Sequence, residues 1–386
     1  MTTYALVGNW HYKPAPTGFT VYRYLEETAE FTLVEHVHPD VAAGQQALDE
    51  RRGLVYVCNE IGDVDGIPGA GGEVLALRVD PETGHTSLIN RARTLSPAPS
   101  YFALDKSGRY GIAVHHSGFG VTTKIRRRED GNFYCTAEVD DTAVTLFGIR
   151  EDGGLGEVCD VAVHRGKAQP KEDMISHLHC VVPDPEGEMF VVTDKGLHCL
   201  YSYAIDRENG KLVLKHVLNA PYGTSPRYCA FHPTLPVFYY NNEKSDLVMT
   251  VKYDAKTGAM EIVDSNSLQL AENAGKPYEA SDICVSPDGK TLYVSDRGSH
   301  FIAVFAIAGD GSLTLIQNMS AQGENPRGFC ITPDRRFLAV CNSDSASICL
   351  FAINSDGTLS PHQGGISAPC PANIRFLQIK DQEEAS

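Results

Sequence analysis

"ASDICVSPDGKTLYVSDRGSHFIAVFAIAGDGSLTLI", residues 280–316, decides the fold. Four short apolar runs rich in β-branched and aromatic residues are cut apart by PDG, DRG and GDGS, residues that favour tight turns. No helical periodicity runs through the stretch. Its centre, PDGKTLYVSDRG, has five counterparts: ERRGLVYVCNE, KSGRYGIAVHHS, PEGEMFVVTDKG, PTLPVFYYNNEK and PDRRFLAVCNSD. Each reads as a tight turn, an apolar strand and a polar residue, and TYALVGNW near the N-terminus supplies a seventh such strand. A further apolar strand follows each of the six (VLALRV, VTLFGI, LYSYAI, VMTVKY, IAVFAI, ICLFAI), then a turn such as DPETG or NSDG, then an outer strand.

Four short strands per repeat, at spacings of about 45 to 55 residues, are the signature of a β-propeller. The expected fold is all-β, a seven-bladed β-propeller in one domain over residues 1–386. ANIRFLQI near the C-terminus has no strand after it to pair with, and YALVGNW, FTVYRYL and FTLVEHV lack an innermost strand before them. The N- and C-terminal strands are therefore expected to share one blade and close the ring, leaving no open edge. Gly118 to Asp141, with its KIRRRED run, interrupts the third blade and is expected to be a loop excursion over one face. Residues 380–386 are expected to form a frayed tail.

Alignment of the repeats yields two informative columns. The apolar strand ends on Asn9, Asn59, His115, Asp194, Asn242, Asp296 and Asn342, nearly all side chains that cap turns. The next position should be free, yet it holds Trp10, Glu60, His116, Lys195, Glu243, Arg297 and Ser343. The second column, at the start of each innermost strand, holds Gly44, Ser100, His179, Arg227, Ser281, Arg327 and Cys370. In an antiparallel sheet the start of one strand lies beside the end of the next, so both columns should surround the mouth of the central channel. A single arginine at a turn ordinarily makes a surface ion pair. Three arginines, a histidine and a glutamate converging on one mouth point instead to a site built from His179, Arg227, Glu243, Arg297 and Arg327. His177, Lys195, His115, His116 and Glu60 are further candidates for substrate binding, with packing as the plainer role for His177 and anchoring of the excursion for His115 and His116.

Composition narrows the function. The net charge of −16 disfavours nucleic-acid partners. No apolar run reaches the roughly 18 residues of a membrane span, and the N-terminus has no signal-peptide pattern, so a cytoplasmic protein without a membrane partner is expected. The 11 cysteines form no CxxC pair and sit mostly inside apolar runs, as buried reduced thiols do. In SHLHC a strand would place His177 and His179 on one face, which allows a metal site, but an HxH pair without a third ligand is weak evidence for one, and no metal or other cofactor is expected. Oligomeric state is not encoded in any legible pattern.

SHLHCVVPDPEGEMFVVTDKG, SPRYCAFHPTLPVFYYNNE, SDICVSPDGKTLYVSDRG and NPRGFCITPDRRFLAVCN together resemble the seven-bladed lactonase family of propeller-type 6-phosphogluconolactonases and fungal carboxy-cis,cis-muconate cyclases. The resemblance runs from about Gln46 to Leu377. It implies a site of His179, Arg227, Glu243 and Arg297, and a small anionic or sugar-lactone substrate. Blade three departs from the family pattern, with AVHHSGFG and the excursion in place of a short hairpin. Lactone hydrolysis would use Glu243 as general base, its pKa raised by apolar walls, with Arg227 and Arg297 binding an anion or oxyanion. Alternatives are a muconate-type cycloisomerase, a sugar-acid isomerase or lyase using the same residues, and a noncatalytic propeller that binds a protein.

Overall fold

Five of the seven repeated apolar strands are buried along their whole length, and the other two at all but their first residue. Leu54–Asn59, Met189–Asp194, Val237–Asn242, Thr291–Asp296 and Phe337–Asn342 carry no residue that is even partly exposed. Continuous apolar sequence is what a strand covered on both faces needs, and here the covers are the two neighbouring blades. Outer strands such as Lys211–Asn219 alternate between exposed and half-buried positions, as one-sided strands do.

The computed structural model describes residues 1–10, 17–67, 69–117, 120–166 and 175–379. Among these, seven antiparallel four-stranded sheets form the propeller and one two-stranded ribbon stands apart. In blades one to seven the innermost strands are Pro371–Ile379, Ala43–Asp49, Pro99–Leu104, Leu178–Pro183, Pro226–Phe231, Ala280–Val285 and Pro326–Ile331. Their second strands are Thr2–Asn9, Leu54–Asn59, Tyr110–His115, Met189–Asp194, Val237–Asn242, Thr291–Asp296 and Phe337–Asn342. Blade one is closed as expected, because Thr2–Asn9 pairs antiparallel with Pro371–Ile379, joining the two ends of the chain. The excursion is a hairpin, Val121–Arg127 paired with Phe133–Val139, inserted between the two middle strands of blade three. The expected tail at 380–386 lies outside the described residues.

Adjacent blades are latched by tyrosines of the second strands. Tyr56 donates its hydroxyl hydrogen bond to the Gly153 carbonyl at 2.8 Å, Tyr239 to Gly311 at 2.8 Å and Tyr293 to Gly357 at 2.9 Å. Gly153 and Gly311 both have φ of 87°, a conformation that strains any residue with a Cβ, so the turn glycines are required by the backbone. The cysteines are free thiols, with Cys58, Cys180, Cys199, Cys229 and Cys341 buried in this packing.

Candidate active site

Two backbone devices, each repeated in every blade, place the two sequence columns. Where a second strand ends, the next residue donates its amide to the carbonyl just before the innermost strand of the same blade. The pairs are Trp10 to Cys370, Glu60 to Ala42, His116 to Ala98, Lys195 to His177, Glu243 to Ser225, Arg297 to Glu279 and Ser343 to Asn325, at 2.8 to 3.1 Å. The residue before this donor caps the corner. Asp194 Oδ1, for example, accepts from the amides of His177, Gly196 and Leu197.

The second device is a bulge at the start of each innermost strand. Opposite Asn59 and Cys58 stand Ala43 and Gln45, leaving Gly44 unpaired, and the same skip leaves Ser100, His179 and Arg327 unpaired. In blades five and six it covers Arg227 with Tyr228, and Ser281 with Asp282. A bulge re-aims a side chain and so is common beside active sites. In blade one the skipped residue is Ala372, because Asn9 pairs with Pro371. Cys370 was therefore placed two residues early in the column: it precedes the strand, at φ 39°, where its carbonyl receives Trp10.

The side chains of blades four to six form one ionic knot. Glu243 receives Lys195 Nζ on Oε1 at 2.5 Å, and Arg227 Nε at 3.1 Å and Arg297 Nη2 at 3.4 Å on Oε2. Burial pushes the Glu243 carboxyl upward, but Lys195, Arg297 and Arg227 override it and hold it well below the usual carboxylate range. The expectation that apolar walls raise Glu243 toward neutrality is thus reversed, because its walls are cations. Arg227 is 1% exposed, donates Nη1 to the Ser281 carbonyl at 2.6 Å and stacks over Tyr228 with Cζ 4.5 Å from the ring centre. It is committed to the protein rather than open to bidentate binding. Arg297 is less committed: Nη2 also meets Glu279 Oε1 at 2.7 Å, while its buried Nε has no hydrogen-bond partner among the described residues.

His179 faces the same cavity, packed edge-on to His116 at 5.5 Å and Tyr228 at 5.1 Å between ring centres, with Nδ1 buried and without a hydrogen-bond partner among the described residues. Burial first, then the positive charge of Arg227 and Lys195, pushes it well below the ordinary histidine range and favours the neutral ring. His116 also reaches the cavity, stacked at 4.8 Å on His177. His177 and His115 do not line the cavity. His177 Nδ1 approaches the His116 carbonyl at 2.5 Å, and His115 Nδ1 the Ala143 carbonyl at 2.6 Å, with burial pushing His115 down to about 4. The bulge at His179 interrupts the alternation that would have set His177 and His179 on one face.

Across the mouth the arrangement changes. Arg327 lies with Cζ 3.7 Å from the centre of the Trp10 ring, and Glu60 is 3.9 Å from Arg327 Nη2. Among the described residues that is the only ion pair of Glu60, and its carboxylate accepts no hydrogen bond. Burial lifts the Glu60 carboxyl above its ordinary value against the pull of Arg327, Arg227 and Lys195, and brings Arg327 down to about 10.

The two sides enclose a cavity of about 340 Å³ lined by Glu60, His116, His179, Lys195, Glu243 and the three arginines, at the lower end of small-molecule pockets. A second cavity of about 380 Å³ shares Trp10, Glu279, Arg297 and Arg327 with it, and adds His300 and Asn325. Trp10 and Glu279 were not singled out in the sequence. Trp10 stood in the first column, and Glu279 occupies the carbonyl position before an innermost strand, a third column visible once the bulges are known. No group of three or more His, Cys, Asp or Glu side chains fit to hold a metal occurs among the described residues, and no helix is long and apolar enough to cross a membrane.

Known proteins agree with this architecture. The chain is 27% identical to a 6-phosphogluconolactonase of Bacillus subtilis over 263 residues, 67% of each chain, and 24% identical to one of Formosa agariphila over 331 residues, 84% of each. Its fold superposes on the periplasmic gluconolactonase of Pseudomonas aeruginosa with a TM-score of 0.82 over 98% of this chain and 100% of that one, at 23% identity. The family model described as "Lactonase, 7-bladed beta-propeller" matches residues 5–376, and with the ring closed through both termini and the charged columns at its mouth, the chain belongs to that family.

Proposed function

We propose that the protein hydrolyses a sugar-derived lactone carrying an anionic group, like the 6-phosphogluconolactone named for its relatives. The observation that carries this reading is the cluster of Arg297, Arg327, Lys195 and His179 lining one cavity. A small cavity walled by cations and a histidine suits a polar, anionic ligand. Arg297 and Arg327 line both cavities, so a substrate with its lactone ring in one and its anionic tail in the other would be held by the same two guanidiniums. Glu243 keeps Lys195, Arg227 and Arg297 in fixed positions around a permanent negative charge. A carboxylate held that low is a poor proton acceptor at neutral pH, so its part here is to preorganise the cations that stabilise the oxyanion.

The test is a panel of sugar lactones with and without a phosphate, set against muconates, with products identified by NMR and spontaneous ring opening subtracted at each pH. Preferred opening of the phosphorylated lactone is expected. Cyclisation or ring opening of muconate derivatives alone would overturn the reading in favour of the cycloisomerase alternative.

A further inference from the structure

Blade two repeats the sequence geometry of blade five and fills it differently. Sixteen residues separate Gly44 from Glu60, as they do Arg227 from Glu243, and each pair joins a bulge residue to the residue following a second strand. In blade five the bulge carries an arginine that pairs with the glutamate. In blade two it carries a glycine, and a Cβ built there would stand 2.3 Å from Glu60 Oε2 and 3.5 Å from Trp10 Cδ1. The absent side chain is what lets the Glu60 carboxylate fold over the bulge. Gly44 is not among the residues with positive φ, so clearance rather than backbone conformation is the local reason for glycine.

Resting on the lactonase reading above, we infer that Glu60 is the catalytic base, taking the proton from the attacking water at the wall of the cavity opposite the Glu243 knot. Its one ion-pair partner is longer than a hydrogen bond, leaving both oxygens able to accept from water. Glu60 shares the cavity with His179, Lys195 and Arg297, so a lactone carbonyl directed at those donors has the carboxylate across the cavity from them. The water oxygen bonds to the carbonyl carbon as one of its protons passes to Glu60. The ring C–O bond then breaks, its alkoxide takes that proton back from Glu60, and the hydroxy acid formed loses its carboxyl proton to solvent. No oxidant, metal or further reactant is consumed.

The groups facing Glu60 come from several blades: Trp10 from blade one, Gly44 and Cys58 from its own, His116 from three, Lys195 from four, Arg227 from five and Arg327 from seven. Cys58 is pushed well above its ordinary value by burial, and then by Glu60, and stays a neutral thiol; His116 is neutral because burial and the Lys195 charge hold it down. The cations lower Glu60 less than burial raises it. Two carboxylates at one mouth with their pKa values driven apart is the pattern that separates proton-handling from fixed-charge roles.

The test measures kcat and KM against pH for wild type, Glu60→Gln and Gly44→Ala on glucono-lactone 6-phosphate. Glu60→Gln should lower kcat about 10²-fold or more, in the range of lost general bases, and flatten the acid limb of the kcat profile. Gly44→Ala keeps the carboxylate but pushes it off the bulge, so it should lower kcat about 10-fold or more with KM little changed. Circular dichroism and melting confirm that each variant is folded. Wild-type kcat in folded Glu60→Gln overturns the inference while leaving the lactonase reading intact. A wild type that opens no lactone overturns both.

Discussion

The corners of blades two and five use one backbone plan, a bulge residue and a glutamate sixteen positions later, and end in opposite electrostatic states. In blade five Glu243 is gripped by Lys195, Arg227 and Arg297, and its charge is fixed. In blade two glycine leaves Glu60 with a long contact to Arg327 beside Trp10. The difference teaches that position in the ring decides which side chains meet at the mouth, while the neighbour across the bulge decides what a carboxylate there can do.

The comparison breaks most visibly if the blade-five knot is opened. Arg227→Met removes buried hydrogen bonds from a charged group to Glu243 and to the Ser281 carbonyl, of a kind worth about 1.5–3 kcal/mol each, so denaturant unfolding should give a free energy of unfolding lower by that order and a lower midpoint. A midpoint unchanged from wild type would mean that the knot is not holding blades five and six together. Next is Gly44→Arg, which writes the blade-five pair into blade two. It should cut kcat about 10²-fold, as loss of the base does, by giving Glu60 a cation of its own. Normal turnover in that variant would show that pairing at the bulge does not govern the carboxylate.

Stability should separate the two glutamates by sign. A carboxyl lowered in the folded state, such as Glu243, contributes stability above its unfolded pKa that is lost as pH falls through the folded value. One raised in the folded state, such as Glu60, contributes below its unfolded pKa and loses that contribution as pH rises through the folded value. At pH 7, therefore, Glu243→Gln should melt below wild type and Glu60→Gln above it. Shifts of the same sign would contradict the contrast. The smallest effect expected is that of Arg297→Lys, which keeps the charge but loses the planar fork, raising KM about 10-fold and lowering kcat by less than the loss of the base does.

Much of this was legible before any coordinates. The PDGKTLYVSDRG repeat announced the blades because a strand sandwiched between two neighbours must be apolar throughout, and the orphan strands at the two ends announced the closure. The column of Glu60, His116, Lys195, Glu243 and Arg297 was legible because a capping residue repeated in every blade marks the position after it. The charge state of Glu243 was not, since it depends on Lys195 and Arg297 from adjacent blades, 48 and 54 residues away in sequence. The bulges were not legible either: a skipped residue leaves no pattern in so short a strand, so Cys370 was counted in place of Ala372 and His177 was set beside His179. The role of Gly44 emerged only from what its missing Cβ would touch.

The most direct test of the contrast needs no substrate. Carbon-13 titration of selectively labelled glutamate carboxyls, with the Glu60 and Glu243 signals assigned from Glu60→Gln and Glu243→Gln, reads both groups in one folded protein. The account predicts that Glu60 titrates above the ordinary glutamate range while Glu243 stays ionised as far into acid as the fold survives. A Glu243 that takes up its proton at higher pH than Glu60 would contradict it.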